Sequence, residues 1–230
     1  MNKNILLKVA AVICGISGLV ILAGVLVPII SYEGSFGAKY SQLLSPISNN
    51  NGVLGTDDNY DYTKASTWFT GGAAREAFIS KNISYYTISI PKLKIDTASV
   101  AIGGEDLSKH LIQYPGTALP GKRGNAVIFG HSILPIFYNP KDYISIFSTL
   151  PSLKAGDEIF VAYDGVNYNY RVEDLFEVLP SDIEVLEQDS TDSFLTLVTC
   201  VPPGDPRKPK RLIVRARIVA PEDINGTTWN

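Results

Sequence analysis

Residues 159–172 read Ile159-Phe160-Val161-Ala162-Tyr163-Asp164-Gly165-Val166-Asn167-Tyr168-Asn169-Tyr170-Arg171-Val172. Two runs rich in β-branched and aromatic residues, Ile159–Tyr163 and Val166–Val172, flank Asp164-Gly165. An Asp-Gly pair in that setting is a strong hairpin signal, because a two-residue type I′ turn needs positive φ at both central positions. Upstream, Tyr85–Ile90, Ala98–Ile102 and the glycine-flanked apolar run Asn125–Phe129 read as strands; downstream, Phe194–Thr199 and Leu212–Val219 do. Leu107–Tyr114 reads as a short helix ended by Pro115-Gly116. Asp142–Leu150 reads as a second, with Asp142 as N-cap and Ile146, Phe147 and Leu150 facing inward. Seven or so short strands, brief helices and no βα alternation predict a mainly β fold: a closed or nearly closed barrel with chiefly antiparallel pairing.

The first thirty residues differ from all of this. Val9 to Ile30 carries no charge and is dominated by Ile, Val, Leu, Ala and Gly. A helix of roughly 20 apolar residues crosses a bilayer's hydrocarbon core. Lys3 and Lys8 precede the run and Glu33 is the first charge after it. The positive-inside rule then keeps the N-terminus in the cytoplasm and exports the rest. A cleaved signal peptide is the competing reading, but its apolar region ordinarily runs only about 7–15 residues. Pro28-Ile29-Ile30-Ser31 also lacks a small-x-small cleavage pattern, and Val12-Ile13 before Cys14 does not suit a lipoprotein site. The run is read as an uncleaved anchor, with the lipid bilayer as partner over residues 9–30 and the chain as a single-pass plasma-membrane protein.

Between anchor and barrel the chain reads as a stalk, turn-rich at Asn49-Asn50-Asn51-Gly52 and at Gly55–Asn59. A short helix is expected around Gly72–Lys81, with Ala73, Ala74, Ala77 and Phe78 as its apolar side. Trp68-Phe69 just before it could dock onto the folded domain or simply anchor the stalk. The expected division is residues 1–30 as cytoplasmic tip and transmembrane anchor, 31–83 as a stalk able to dock in part on the barrel, 84–220 as the barrel domain and 221–230 as a tail.

A net charge of −3 with 19% charged residues does not suggest nucleic-acid binding. The basic cluster Arg207, Lys208, Lys210, Arg215 and Arg217 does not reverse this, since the domain faces outward. Two cysteines permit one disulfide at most, and the two cysteines and two histidines (positions 14, 110, 131 and 200) lack clustered zinc-ligand spacing. Cys14 lies in the span, so Cys200 has no intramolecular partner outside. It is either an inert core residue or a retained nucleophile.

Three residues make the second reading concrete. Cys200 ends the strand Phe194–Thr199, and the loop Val201–Lys210, with four prolines, cannot continue the ladder. If the chain returns at Arg211-Leu212-Ile213-Val214 to pair with that strand, Cys200 and Arg211 stand abreast. A guanidinium there favours the thiolate and offers forked donors to an oxyanion. His131 ends a buried strand, after Ile128-Phe129-Gly130, and can protonate a leaving amine, then deprotonate an incoming one. This set suits acyl transfer through a thioester. His110, with no motif around it, is read as structural or exposed.

These residues resemble those of the sortases, surface transpeptidases mostly of Gram-positive bacteria. Thr196-Leu197-Val198-Thr199-Cys200 matches the family's TLxTC signature, Gly130-His131 its histidine motif, and Arg211 before Leu-Ile-Val its arginine; Tyr86–Leu93 is similar to its opening strand. The resemblance covers about residues 84–219. It implies a closed eight-stranded sortase barrel and cleavage of an LPxTG-type sorting signal, usually after its threonine. The acyl group then passes to an amine, on a peptidoglycan precursor or a pilin lysine. The partners implied are surface proteins bearing C-terminal sorting signals. Carried over by position, Cys200 is the nucleophile, His131 the general acid/base and Arg211 the oxyanion or substrate stabiliser, with Thr199 and Val198 as substrate-binding residues.

Two departures stand beside the resemblance. Pilin-polymerising members often carry an N-terminal lid with an Asp-Pro-aromatic motif; Asp57–Tyr62 is acidic and aromatic but has no proline. Some members respond to calcium. Asp182, Glu184, Glu187, Asp189 and Asp192 are dense here, but a hard-cation site needs convergent oxygens, so the stretch is read as a solvated loop and no cofactor is expected. A surface cysteine peptidase would use the same residues with water as acceptor. A non-catalytic surface-binding module would be expected to lose at least one of the three, and all are present.

Overall fold

Asp164 and Gly165 both take positive φ, 51° and 76°, and their turn joins two strands of an eight-stranded sheet. In chain order the strands are β1 (Ser84–Ile90), β2 (Ile95–Ile102), β3 (Leu111–Gln113), β4 (Gly124–Phe129), β5 (Glu158–Tyr163), β6 (Val166–Val178), β7 (Ser193–Val201) and β8 (Lys210–Ile218). The computed structural model describes residues 3–36 and 61–220. The turn-rich stretches expected at 49–52 and 55–59, and the tail 221–230, lie outside the described residues.

The sheet closes as β1-β2-β3-β4-β7-β8-β6-β5 and back to β1. Only the β2–β3 and β4–β7 pairs are parallel, so antiparallel pairing dominates. Closure leaves no edge strand open to other chains. Period-two alternation sends Leu195, Leu197, Val201, Leu212 and Val214 into one hydrophobic cluster. Val127, Phe129, Val198, Cys200 and Ile213 face a second cluster, which Ala65, Trp68, Phe69 and Phe78 complete. The outer face of β4, β7 and β8 is therefore apolar because the chain before the barrel covers it.

That cover is where several expected elements differ. Trp68 and Phe69 dock: Trp68 is fully buried and stacks on Phe129 at 5.2 Å between ring centroids. The helix expected over Gly72–Lys81 shrinks to one turn, α2 (Arg75–Phe78). Its surroundings are tied to the barrel instead, with the Ala73 N–H donating to Tyr114 Oη and the Ser80 N–H to the Gly103 carbonyl. Leu107–Tyr114 is not a helix. The Asp106 carboxylate accepts from the Ser108 N–H and hydroxyl in a single turn, and the backbone beyond it pairs with β2 and β4 rather than with itself. Leu111–Gln113 then runs as β3, buried throughout. Asp142–Leu150 is a series of tight turns leading into a 3-10 turn at Leu150–Ser152. Ile146, Phe147 and Leu150 do point inward, but the Phe147 N–H donates to the His131 carbonyl at 2.9 Å, outside any helical ladder. Strand β6 also runs past its expected end, through an irregularity between Val172 and Asp174.

The N-terminal run forms one 34-residue helix (Lys3–Phe36), labelled α1, whose segment Leu7–Gly34 is long and apolar enough to cross a membrane. From Leu7 to Val27 its side chains are exposed; Pro28 and Ile29 are half-buried and Tyr32 is buried. Tyr32 Oη donates to Glu177 Oε1 at 2.7 Å, and Lys210 Nζ reaches Glu177 Oε2 at 2.9 Å and Glu33 at 3.9 Å. The foot of the helix is thus tied to β6 and β8 at the barrel end where β7 stops.

Candidate active site

Strand register sets the site. In the antiparallel β7–β8 pair, Cys200 stands directly opposite Arg211. In the parallel β4–β7 pair, Phe129 stands opposite Val198, and the Gly130 N–H continues the ladder to the Val198 carbonyl at 3.1 Å. Two residues further on each strand, the same register brings His131 alongside Cys200. Register thus places Cys200, His131 and Arg211 at neighbouring positions on three adjacent strands. Gly130 is required by packing: a Cβ there would come within 2.4 Å of Phe147 Cδ2 and 2.6 Å of Leu111 Cδ2.

The three groups are enclosed, Cys200 at 2% exposure, His131 at 4% and Arg211 at 1%. Arg211 Nε and Nη2 both donate to the Trp68 carbonyl, at 3.1 and 2.9 Å, while Nη1 donates to the Lys208 and Lys210 carbonyls. Its guanidinium also lies 5.6 Å from the Trp68 ring centroid. The Trp68 segment thus occupies the fork with a neutral carbonyl oxygen. Burial pushes the Cys200 thiol above its ordinary range, opposed by the charges of Arg211 and Lys208. Burial also lowers His131 to about 4, with Lys208 pushing the same way. His131 Nε2 is buried without a hydrogen-bond partner, 5.7 Å separating its ring from that of Trp68. Burial thus favours the neutral form of both Cys200 and His131 near pH 7.

Hydroxyls fix the backbone around the pair. Thr199 Oγ1 donates to the Gly130 carbonyl at 2.8 Å, so it ties β7 to the histidine's strand, away from the arginine. Ser132 Oγ donates to the Cys200 carbonyl at 2.5 Å. Val198 is fully buried beneath the cover, in the cluster that contains Cys200.

Beside His131 a cavity of about 200 Å³ is lined by Asp61, Tyr62, Ser132, Ile133, Ile144 and Lys208, among others. Cys200 is not part of its wall. Lys208 and Ser132 are the site residues that sequence reading missed. Lys208 had been grouped with a basic cluster, but Asp205, buried at 3%, accepts from the Arg207 backbone and guanidinium and shapes the loop that presents it. Its ammonium sits 4.6 Å from the Tyr62 ring centroid. No sequence signal marks that lysine; Ser132, next to the Gly-His pair, could have been suspected from position alone. His110 packs between Tyr85 and Tyr143 at one barrel face, with its own cluster of partners.

Among the described residues no group of three His, Cys, Asp or Glu side chains could hold a metal ion. The acidic stretch is used locally: Asp182 accepts from the Leu179 N–H, Asp189 from the Thr191 N–H and hydroxyl, and Asp192 lies 3.7 Å from Arg217.

Comparison with known proteins agrees with this layout. The family model described as Sortase domain matches residues 88–219. Sortase A of Bacillus anthracis is 28% identical over 232 residues, covering 95% of this chain and 97% of that one. Sortase A of Streptococcus agalactiae is 25% identical over 162 residues, or 70% of this chain, and the match spans 63% of that relative's length. Among solved structures, a lid mutant of sortase A from Corynebacterium diphtheriae superposes with a TM-score of 0.51 at 31% identity, over 61% of this chain and 74% of that one. With the family model matched over more than half of its length, from the opening strand to the last, this chain belongs to the sortase family of cysteine transpeptidases.

Proposed function

We propose that the chain is a membrane-anchored transpeptidase that cleaves an LPxTG-type sorting signal through a Cys200 thioester and transfers the acyl group to an amine. The observation that carries this reading is the register, with Cys200 opposite Arg211 on one side and alongside the strand of His131 on the other. The Cys200 thiol first passes its proton to His131; the thiolate attacks the scissile carbonyl, and the resulting oxyanion takes the two Arg211 donors that now hold the Trp68 carbonyl. His131 gives a proton to the departing amine as the C–N bond breaks, leaving a thioester. The incoming amine loses its proton to His131, attacks the thioester and releases the thiolate. Substrate entry requires the Trp68 segment to leave Arg211. The same movement hydrates both reactive groups, removing the burial that keeps them neutral.

Acceptors of this chemistry are peptidoglycan precursors or pilin lysines, and donors are surface proteins with C-terminal sorting signals. Lys3 and Lys8, in the first turns of α1 ahead of its uncharged run, support a cytoplasmic N-terminus and an extracytoplasmic barrel.

The test is ligation by the full chain of an LPxTG-type peptide to oligoglycine or hydroxylamine. Product that disappears in Cys200→Ala is expected. Peptide cleavage at a rate and with products indifferent to added amine would assign the chain to hydrolysis instead.

A further inference from the structure

The two most exposed large apolar side chains on the barrel, among the described residues, are adjacent: Ile136 at 72% and Phe137 at 64% exposure. They cap a turn that is held in shape. The Phe137 N–H donates to the Leu134 carbonyl at 2.9 Å and the Tyr138 N–H to the Pro135 carbonyl at 3.1 Å. Tyr138 Oη donates to the Leu93 carbonyl, and the Ile133 N–H to Ser148 Oγ at 2.9 Å. These bonds hold the turn so that both side chains stay in the open.

The place of the turn supplies the reason. Pro135 lines one cavity together with Pro28 and Tyr32 of α1. From Val9 to Ile30 an α-helix rises about 32 Å, close to the roughly 30 Å hydrocarbon core. Pro28 then lies within a turn of the outer edge of that core, and Tyr32 lies at the headgroup level where aromatic residues concentrate. A barrel loop that shares a cavity wall with these two residues is at the same depth. Below that contact α1 is uncovered from Leu7 to Val27. The Pro135–Phe137 turn therefore adjoins α1, through Pro135, next to where the helix's uncovered stretch ends.

We propose that Ile136 and Phe137 form a second membrane contact, inserted into the interfacial layer of the outer leaflet beside α1. The proposal rests on the reading of α1 as a bilayer anchor. Two apolar side chains would bind a membrane weakly by themselves, but the anchor already confines them to its surface at high effective concentration. With the helix as one fixed point and this turn as another, the barrel keeps one orientation to the leaflet. The alternative occupant, an apolar residue of the sorting peptide, is less well supported: Ile133 and Ile144 line the cavity beside His131, whereas Ile136 and Phe137 do not.

The full chain reconstituted in vesicles of phosphatidylcholine and phosphatidylglycerol, with or without brominated acyl chains, tests the contact. Phe137→Trp is compared with Val166→Trp, an exposed position at the start of β6 and so at the far pole from Val178, which pairs with Arg211. The parent, with its two native tryptophans, gives the background. Blue-shifted emission and loss of signal to the brominated lipid in Phe137→Trp, with neither in Val166→Trp, is expected. Equal emission from the two variants while the chain resists carbonate extraction overturns the membrane contact and leaves the anchor standing. Release of the chain by carbonate overturns the anchor reading and the contact with it. A shift in Phe137→Trp that needs added sorting peptide and shows no bromine quenching assigns the pair to substrate, again overturning the proposal.

Discussion

Arg211 is the residue on which the site depends most visibly. All of its described hydrogen bonds go to carbonyl oxygens, two of them to the single oxygen of Trp68, which leaves its charge available to a developing oxyanion. Arg215 instead lies over Phe194 and reaches only the Val185 carbonyl at 3.4 Å. Arg211→Ala is expected to lower kcat/KM by about 100-fold or more, the usual scale for losing an oxyanion donor, and Arg215→Ala to change it little. Equal effects in a peptide-ligation assay would remove Arg211 from the mechanism. His131 carries a pH signature. The folded chain holds it at about 4 against an ordinary 6.5, so between those values the unfolded state binds more protons. Stability contributed by neutral His131 is present above pH 6.5 and is lost as pH falls toward 4. Lowering pH from 7 to 5 is expected to cost about 2 kcal/mol from this group, and thermal melts of His131→Asn should show a flatter profile. A Cβ at Gly130 collides with Phe147 and Leu111, so Gly130→Ala is expected to destabilise the fold by about 1–3 kcal/mol, as read from denaturant midpoints.

At the scale of elements, the segment over residues 61–79 covers the face of the barrel that carries Cys200. Trp68 contributes its ring to the outer core and its carbonyl to Arg211, so one residue both packs and occupies the site. Trp68→Ala removes the packing, a loss of about 3–5 kcal/mol for a buried tryptophan. The cover should then open more often, and alkylation of Cys200 by iodoacetamide in the full chain should accelerate; an unchanged rate would show that the cover does not limit access. This segment was only half legible in the sequence. Trp68-Phe69 stood out as a docking pair, but without β-period or helical stripe nothing located their receptor. The expected helices at 107–114 and 142–150 failed for a related reason. Distant strands and loops take the backbone groups that a helix would use: Leu111–Gln113 pairs with β2 and β4, and the Phe147 N–H goes to the His131 carbonyl.

At the scale of the molecule, the barrel was legible because β1 and β5 carry period-two burial, β4 and β7 are short apolar runs buried throughout, and the Asp-Gly pair marks a tight turn. Strand order was not. The two parallel pairs, β2–β3 and β4–β7, join segments separated by turns or by a long excursion, and no local pattern encodes such partners. The alignment of Cys200 with Arg211 could be argued from the sequence as a hairpin, whereas that of His131 with Cys200 needed the parallel register. Tyr32, Glu177 and Lys210 were equally silent, since a buried carboxylate shared by a helix foot and a strand leaves no sequence motif. The claim joining all these scales is that Cys200 carries the acyl group. Acid-quenched turnover of the full chain with an LPxTG-type peptide, followed by mass spectrometry, reads this directly. A thioester adduct on the Cys200 peptide that is discharged by added amine is expected; peptide cleavage without an adduct on Cys200 would contradict it.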